Sequence, residues 1–178
     1  TSLGPEMKST GEVMGLDIDF PRALYKGLVA AGLEVPAKGS ILITVADKDK
    51  TEVVPLVKEL RNLGYDILAT RGTAAALQDA GLRDIEVVNK MMEGSPNIED
   101  LIRSDKIKMI INTLTRGKMP ERDGFKIRRA AVEFGIPCLT SLDTANAMVS
   151  ALKWREKGKD FTLIALQDVE QNYNGGML

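Results

Sequence analysis

Thr70-Arg71-Gly72-Thr73 stands where an apolar run, Tyr65 to Ala69, gives way to a helix-like segment. A strand that turns through glycine into a helix aims free backbone N–H groups and the positive end of the helix dipole at one spot, and threonine hydroxyls on either side add donors. Such a loop binds anions, and a phosphate is its expected occupant. The same residue types also serve turn geometry and helix capping, so residues elsewhere must decide between the two.

They do so by where they fall. From Ser40 onward short apolar runs alternate with helix-like segments, the pattern of a parallel sheet covered on both faces. The runs Ile41 to Ala46, Tyr65 to Ala69, Ile85 to Val88, Met109 to Asn112, Ile136 to Leu139 and Phe161 to Leu166 read as strands. Between them Thr51 to Leu63, with Asp49 as its cap, Thr73 to Ala80, Ile98 to Arg103, Arg122 to Phe134 and Thr144 to Glu156 read as helices. The expected fold is a three-layer α/β domain: a mostly parallel sheet of about five strands, doubly wound, with helices on both faces. Ligands of such sheets sit at the carboxyl rim, and there each successive strand ends in polar groups. Asp47, Lys48 and Lys50 follow the first strand, Thr70 to Thr73 the second, and Asn89 with Lys90 the third. Asn112, Thr113, Thr115 and Arg116 follow the fourth, Thr140 and Ser141 the fifth. Lysines supply charge, threonines short rigid hydroxyls, and Asn112 both a donor and an acceptor, which suits a phosphorylated small molecule.

Composition narrows the chemistry. The 178 residues contain no histidine, so the commonest general acid/base and metal ligand is absent. The one cysteine, Cys138, lies in an apolar run and reads as a buried strand residue; it excludes an internal disulfide and any multi-cysteine metal site. Lys and Arg (24) balance Asp and Glu (25), which gives no global field for nucleic acid or an acidic membrane. No apolar stretch approaches the roughly 20 residues of a membrane span, and the start lacks a signal-peptide pattern, so a cytoplasmic protein is expected.

Residues 1–39 break the alternation: Met7 to Gly15 has no period, and Pro21 to Ala31 reads as a helix before a Gly/Pro/Lys linker. The opening at Thr1 and this polar start fit excision from a longer polypeptide. The expected organisation is a borrowed end at 1–39, one α/β domain at 40–171 and a fraying tail at 172–178.

Lys8-Ser9-Thr10-Gly11-Glu12-Val13-Met14-Gly15 resembles the end of the second ATP-grasp half of the carbamoyl-phosphate synthetase large subunit. The rest of the chain resembles that subunit's C-terminal, methylglyoxal-synthase-like regulatory domain, through Thr44 to Lys50, Ala69 to Thr73, Val88-Asn89-Lys90, Glu93-Gly94, Ile111-Asn112-Thr113 and Ile127-Arg128-Arg129. The resemblance implies a sensor, with no catalytic residue and no metal of its own, in an enzyme of pyrimidine and arginine biosynthesis that makes carbamoyl phosphate with ATP and Mg or Mn. UMP inhibits bacterial members, IMP overlaps it, and ornithine activates from a site shared with the neighbouring domain. By the same resemblance Thr44, Lys50, Thr70, Gly72, Thr73, Lys90, Asn112 and Thr115 are effector positions, with Thr113 and Asp123 nearby, and Thr140 contributes to the ornithine site. The loop from Asn112 to Arg129 is slightly longer than the family pattern. The implied partners are the rest of the large subunit and the glutaminase small subunit, and assembly of copies through this domain is a further implication. A lyase of the methylglyoxal-synthase type is the alternative, but it requires a carboxylate where Ser95 and Pro96 stand, and a histidine. A nucleotide cyclohydrolase, suggested by Asp47 to Thr51, lacks its later motifs here.

Overall fold

The computed structural model describes residues 13–33, 35–91, 93–113, 123–157, 165 and 168. Helix α1 (Phe20–Ala30) precedes β1 (Ser40–Thr44), α2 (Val53–Asn62), β2 (Asp66–Thr70), α3 (Arg71–Asp79), β3 (Ile85–Val88), α4 (Ile98–Arg103), β4 (Ile107–Asn112), α5 (Asp123–Glu133), β5 (Cys138–Leu139) and α6 (Leu142–Glu156). The five strands form one all-parallel sheet in the order β3-β2-β1-β4-β5. Successive strands first step outward to β3, then the chain crosses back to β4 and β5, so the sheet is doubly wound with its switch point between β1 and β4. The expected strand over Phe161–Leu166 falls outside the described residues apart from Ala165, as do the segment up to residue 12 and the tail from 172.

Strand periodicity sorts the core. Ile41, Ile43, Ile67, Met109 and Ile111 point to one face and meet α2, α3 and α6 through Val57, Leu60, Leu77 and Met148. Leu42, Leu68 and Ile110 point to the other and meet α4 and α5 through Ile98, Ile102, Ile127 and Ala131. Each of these fully buried Ile and Leu side chains contributes about 1.5–3 kcal/mol, which is why the strands read as unbroken apolar runs.

Several boundaries differ from the sequence reading. Asp49 does not cap α2: a 3-10 turn over Asp47–Asp49 intervenes, and the cap position belongs to Glu52, with no side-chain bond. Helix α6 begins earlier than Thr144, because Ser141 accepts from the Thr144 N–H and caps it. Strand β4 starts at Ile107, hidden in the sequence by the flanking Lys106 and Lys108.

Outside the sheet, α1 packs on α6 through Tyr25 and Trp154, whose rings lie 5.7 Å apart. Asp19 caps α1, and Pro21 in the first turn presets its backbone. The buried Asp17 carboxylate accepts from Lys26 at 2.6 Å and lies 3.9 Å from Arg22. A side chain on Gly15 would strike the Ala23 carbonyl, so only glycine lets this segment lie against the helix. The linker to β1 is held by Tyr65, which donates to the Pro36 carbonyl at 2.7 Å, and by Arg155, which donates to Tyr65 Oη at 2.9 Å and to the Val35 carbonyl.

Candidate functional site: an anion cradle at the carboxyl rim

Thr70 ends β2 in extended conformation and sits at the N-cap of α3, yet its hydroxyl makes no capping bond. The capping alternative for this loop is therefore not realised. Thr70 Oγ1 lies instead 3.4 Å from Thr44 Oγ1 and 3.4 Å from Thr73 Oγ1, while the Val45 N–H donates to Thr73 Oγ1 at 3.3 Å. Three hydroxyls from β1, β2 and α3 thus form one cluster beside the first amides of α3, which no side chain caps.

Lys50 completes this side. Its Nζ would lie 3.4 Å from a Cβ placed on Gly72, so the ammonium hangs over the amino end of α3 and the missing side chain leaves the space between them open. A cation at the positive end of a helix is unfavourable, by roughly 0.3–1 kcal/mol at exposed sites, unless an anion comes between them. Part of that cost is offset by Asp47, whose carboxylate lies 2.7 Å from Lys50 Nζ. The hydrogen bond and charge of Lys50 hold the Asp47 carboxyl below the usual carboxylate range.

Across the switch point Thr44 is in register with Asn112, the last residue of β4. Asn112 is 2% exposed, and its Oδ1 accepts from Arg128 Nη1 at 2.7 Å. Gly124, in the first turn of α5, presses on this pair: a Cβ there would stand 3.3 Å from both atoms. Beside Gly124, Asp123 lies 3.9 Å from Lys90, at the end of β3. Thr113 accepts from the Ala46 N–H at 2.9 Å and ties the β1 loop to the end of β4.

Thr44, Lys50, Thr70, Gly72 and Thr73 thus form a continuous contact set, linked through strand register to Asn112 and through α5 to Asp123 and Lys90. Thr140 follows β5 on the outer end of the same rim and is exposed; among the described residues no hydrogen bond joins it to the cluster. Thr115 lies outside the described residues. Two groups read from sequence as rim donors have other work: Ser141 caps α6, and Asn89 Nδ2 donates to the Pro96 carbonyl at 3.4 Å. Cys138 lies in β5 as expected but is only half buried, and burial pushes its thiol pKa up, away from the thiolate that nucleophilic chemistry needs. Among the described residues no three His, Cys, Asp or Glu side chains converge as a metal site would require. No helix among them is long and apolar enough to cross a membrane. Sequence reasoning missed Asp47 as the partner of Lys50 and Arg128 as the partner of Asn112, although the spacing of Gly124 and Arg128 on one helix face carried the second.

A parallel 3-2-1-4-5 sheet with helices on both faces and polar groups gathered where the strand order reverses defines a doubly wound α/β domain, a class whose ligands sit at the carboxyl rim. The MGS-like domain model matches residues 52–140, a span that holds every candidate site residue except Thr44 and Lys50. The chain belongs to the MGS-like domain family. Among solved structures, methylglyoxal synthase from Elizabethkingia anophelis NUHP1 matches over 65% of this chain and 80% of its own, with 18% identity and a TM-score of 0.52. ForH matches over 78% and 91%, with 17% identity and a TM-score of 0.47. At such identity the synthase likeness speaks to the fold alone.

Proposed function

We propose that this chain is an allosteric regulatory domain that binds a nucleoside monophosphate, UMP or IMP, at the carboxyl rim. Its parent is the large subunit of carbamoyl-phosphate synthetase, in which residues 1–39 lead in from the preceding core and ATP with Mg or Mn serves the catalytic domains. The observation that carries the reading is the juxtaposition of Lys50 Nζ with the uncapped amino end of α3 across Gly72. Two positive groups brought together, ringed by the Thr44, Thr70 and Thr73 hydroxyls, ask for an anion, and a phosphate monoester has enough acceptor oxygens to satisfy them at once. Lys90, Asn112 and Asp123 across the switch point then lie on the side available to the ribose and base. Thr140, at the outer end of the rim, contributes to an ornithine site completed by the neighbouring domain. The effect on the parent is a coupling of about 1–3 kcal/mol between this site and the ATP-using core.

The likeness to a methylglyoxal synthase raises the lyase alternative, and the residues present argue against it. The chain contains no histidine. Beside the Ser95-Pro96 position the Asp100 carboxylate, in the first turn of α4, accepts from the Asn97 N–H at 3.0 Å and from Ser95 Oγ at 2.9 Å. Those bonds hold its carboxyl below the usual carboxylate range, which makes it a poor base. A thermal-shift screen of UMP, IMP, ornithine and inorganic phosphate, run beside a methylglyoxal assay with dihydroxyacetone phosphate, separates the readings. The regulatory reading expects a rise in Tm with a nucleotide and no product; product above the blank with no nucleotide effect overturns it.

A further inference from the structure

Asn112 is buried, ends strand β4 next to the central β1, and accepts from Arg128 of α5. A guanidinium carries only donors, so the Asn112 atom at 2.7 Å from Arg128 Nη1 must be the carbonyl oxygen Oδ1. The usual ambiguity between amide O and N is thereby removed by chemistry. With Oδ1 held by the guanidinium, the covalent geometry of the amide keeps Nδ2 off Arg128; Nδ2 stays under the first turn of α5, 3.6 Å from where a Cβ on Gly124 would stand, and among the described residues no hydrogen bond occupies it. Thr44, in register with Asn112, puts the hydroxyl cluster on the neighbouring strand. Gly124 packs over the pair where a Cβ would come within 3.3 Å of both partners, so the first turn of α5 closes on the contact only because residue 124 has no side chain. Gly124 and Arg128 are four residues apart and share one face of α5.

We infer that Arg128 is a positioning residue of the rim site: it locks the Asn112 side chain with Nδ2 as a donor, so that the ligand group seated there must be an acceptor, such as a phosphate or a base carbonyl oxygen. This rests on the proposed nucleotide reading for the identity of the ligand, but not for the geometry. Arg128 touches no ligand itself; it sets the sign of what Asn112 can recognise. Without it the amide can rotate by half a turn and offer Oδ1 to the rim, an acceptor facing an acceptor.

The test uses the full chain and its Arg128→Met, Arg128→Lys, Asn112→Ala and Asn112→Asp variants, with UMP, IMP and inorganic phosphate as probes in calorimetry. Arg128→Met is expected to weaken UMP or IMP binding by about fivefold to tenfold, the range of one oriented hydrogen bond. Arg128→Lys, which keeps a donor, restores most of it, and in the Asn112→Ala background Arg128→Met adds less than about twofold. An equal loss in both backgrounds means that Arg128 acts elsewhere and overturns the inference. Asn112→Asp keeps the Arg128 contact, now as an ion pair, but turns a carboxylate oxygen to the rim, so it must bind more weakly than Asn112→Ala; equal or tighter binding overturns the inference even if Arg128→Met does not fold. A ligand-free readout separates this inference from the nucleotide reading. The Asn112 side-chain amide signal in 15N NMR must shift in Arg128→Met and return in Arg128→Lys. A shift with no binding by the parent chain removes the nucleotide reading and keeps the positioning role; an unmoved signal removes the positioning role whatever binds.

Discussion

Replacing Lys50 by methionine keeps the length of the side chain and deletes its charge. Because Nζ lies 3.4 Å from the point a Cβ on Gly72 would occupy, an anion resting on the α3 amides meets the ammonium at about 4 Å. The Lys50 side chain is 27% exposed, which sets the effective dielectric at about 40, between a surface pair and bulk water, and Coulomb's law then gives about 2 kcal/mol. Asp47 draws on the same ammonium from 2.7 Å, so the net loss of affinity for UMP or inorganic phosphate falls to roughly fivefold to thirtyfold. Asp47→Asn removes the competitor and moves affinity the other way, tighter by about twofold to fivefold. In the free protein Lys50→Met gives up the Asp47 pair and also relieves the repulsion from α3, so stability changes by no more than about 0.5 kcal/mol. Calorimetry at low and moderate salt reads the two affinities, denaturant melts read the stability, and the Lys50 contribution shrinks as salt rises. Unchanged affinity in Lys50→Met, or weaker binding in Asp47→Asn, would rule out this electrostatic role.

Other perturbations reach the supports of the site. Thr73→Val preserves shape but leaves the Val45 N–H without its acceptor; it costs about 1–3 kcal/mol in denaturant melts and weakens nucleotide binding together with stability. Gly15→Ala drives a methyl into the Ala23 carbonyl; the strain of about 1–3 kcal/mol falls on the docking of α1, and hydrogen exchange should speed up in α1 while β1 and β4 stay protected. Burial pushes the Asp17 carboxyl up, but Lys26, the Ile18 N–H and Arg22 more than offset it and hold it below its ordinary value. A depressed folded pKa stabilises above the unfolded value and is lost as pH falls through the folded one, so the α1 attachment should loosen below about pH 4, and Asp17→Asn should flatten that dependence.

The legible parts of the fold are those whose burial dictates composition. Strands β1, β2 and β4 lie between two layers of helices, so Ile41, Leu42 and Ile43, or Met109, Ile110 and Ile111, are all apolar and stand out as runs. Boundaries set by backbone geometry were harder: nothing in the side chain of Asp49 distinguishes a helix cap from a residue of the 3-10 turn that lies there. The rim residues could be collected from the ends of strands because the topology brings those ends together. Their pairings could not. Whether Lys50 meets Asp47, an α3 amide or solvent depends on the path of a loop, and whether Asn112 offers a donor or an acceptor depends on Arg128, sixteen positions further on. Ser141 shows the converse, a hydroxyl of the right type at the right strand end whose lone pair is already taken by the Thr144 N–H.

The proposed function requires loops distant along the chain to act as one anion cradle around the amino end of α3, and an NMR titration of the full chain with UMP, repeated with inorganic phosphate, is the decisive measurement of it. The amides of Val45, Gly72 and Thr73 and the side-chain amide of Asn112 are expected to move together, with a single Kd, while those of α1 and of the outer face of α6 stay still. Shifts confined to another surface, or separate affinities for the Gly72 and Asn112 sides, would show that no such single cradle exists.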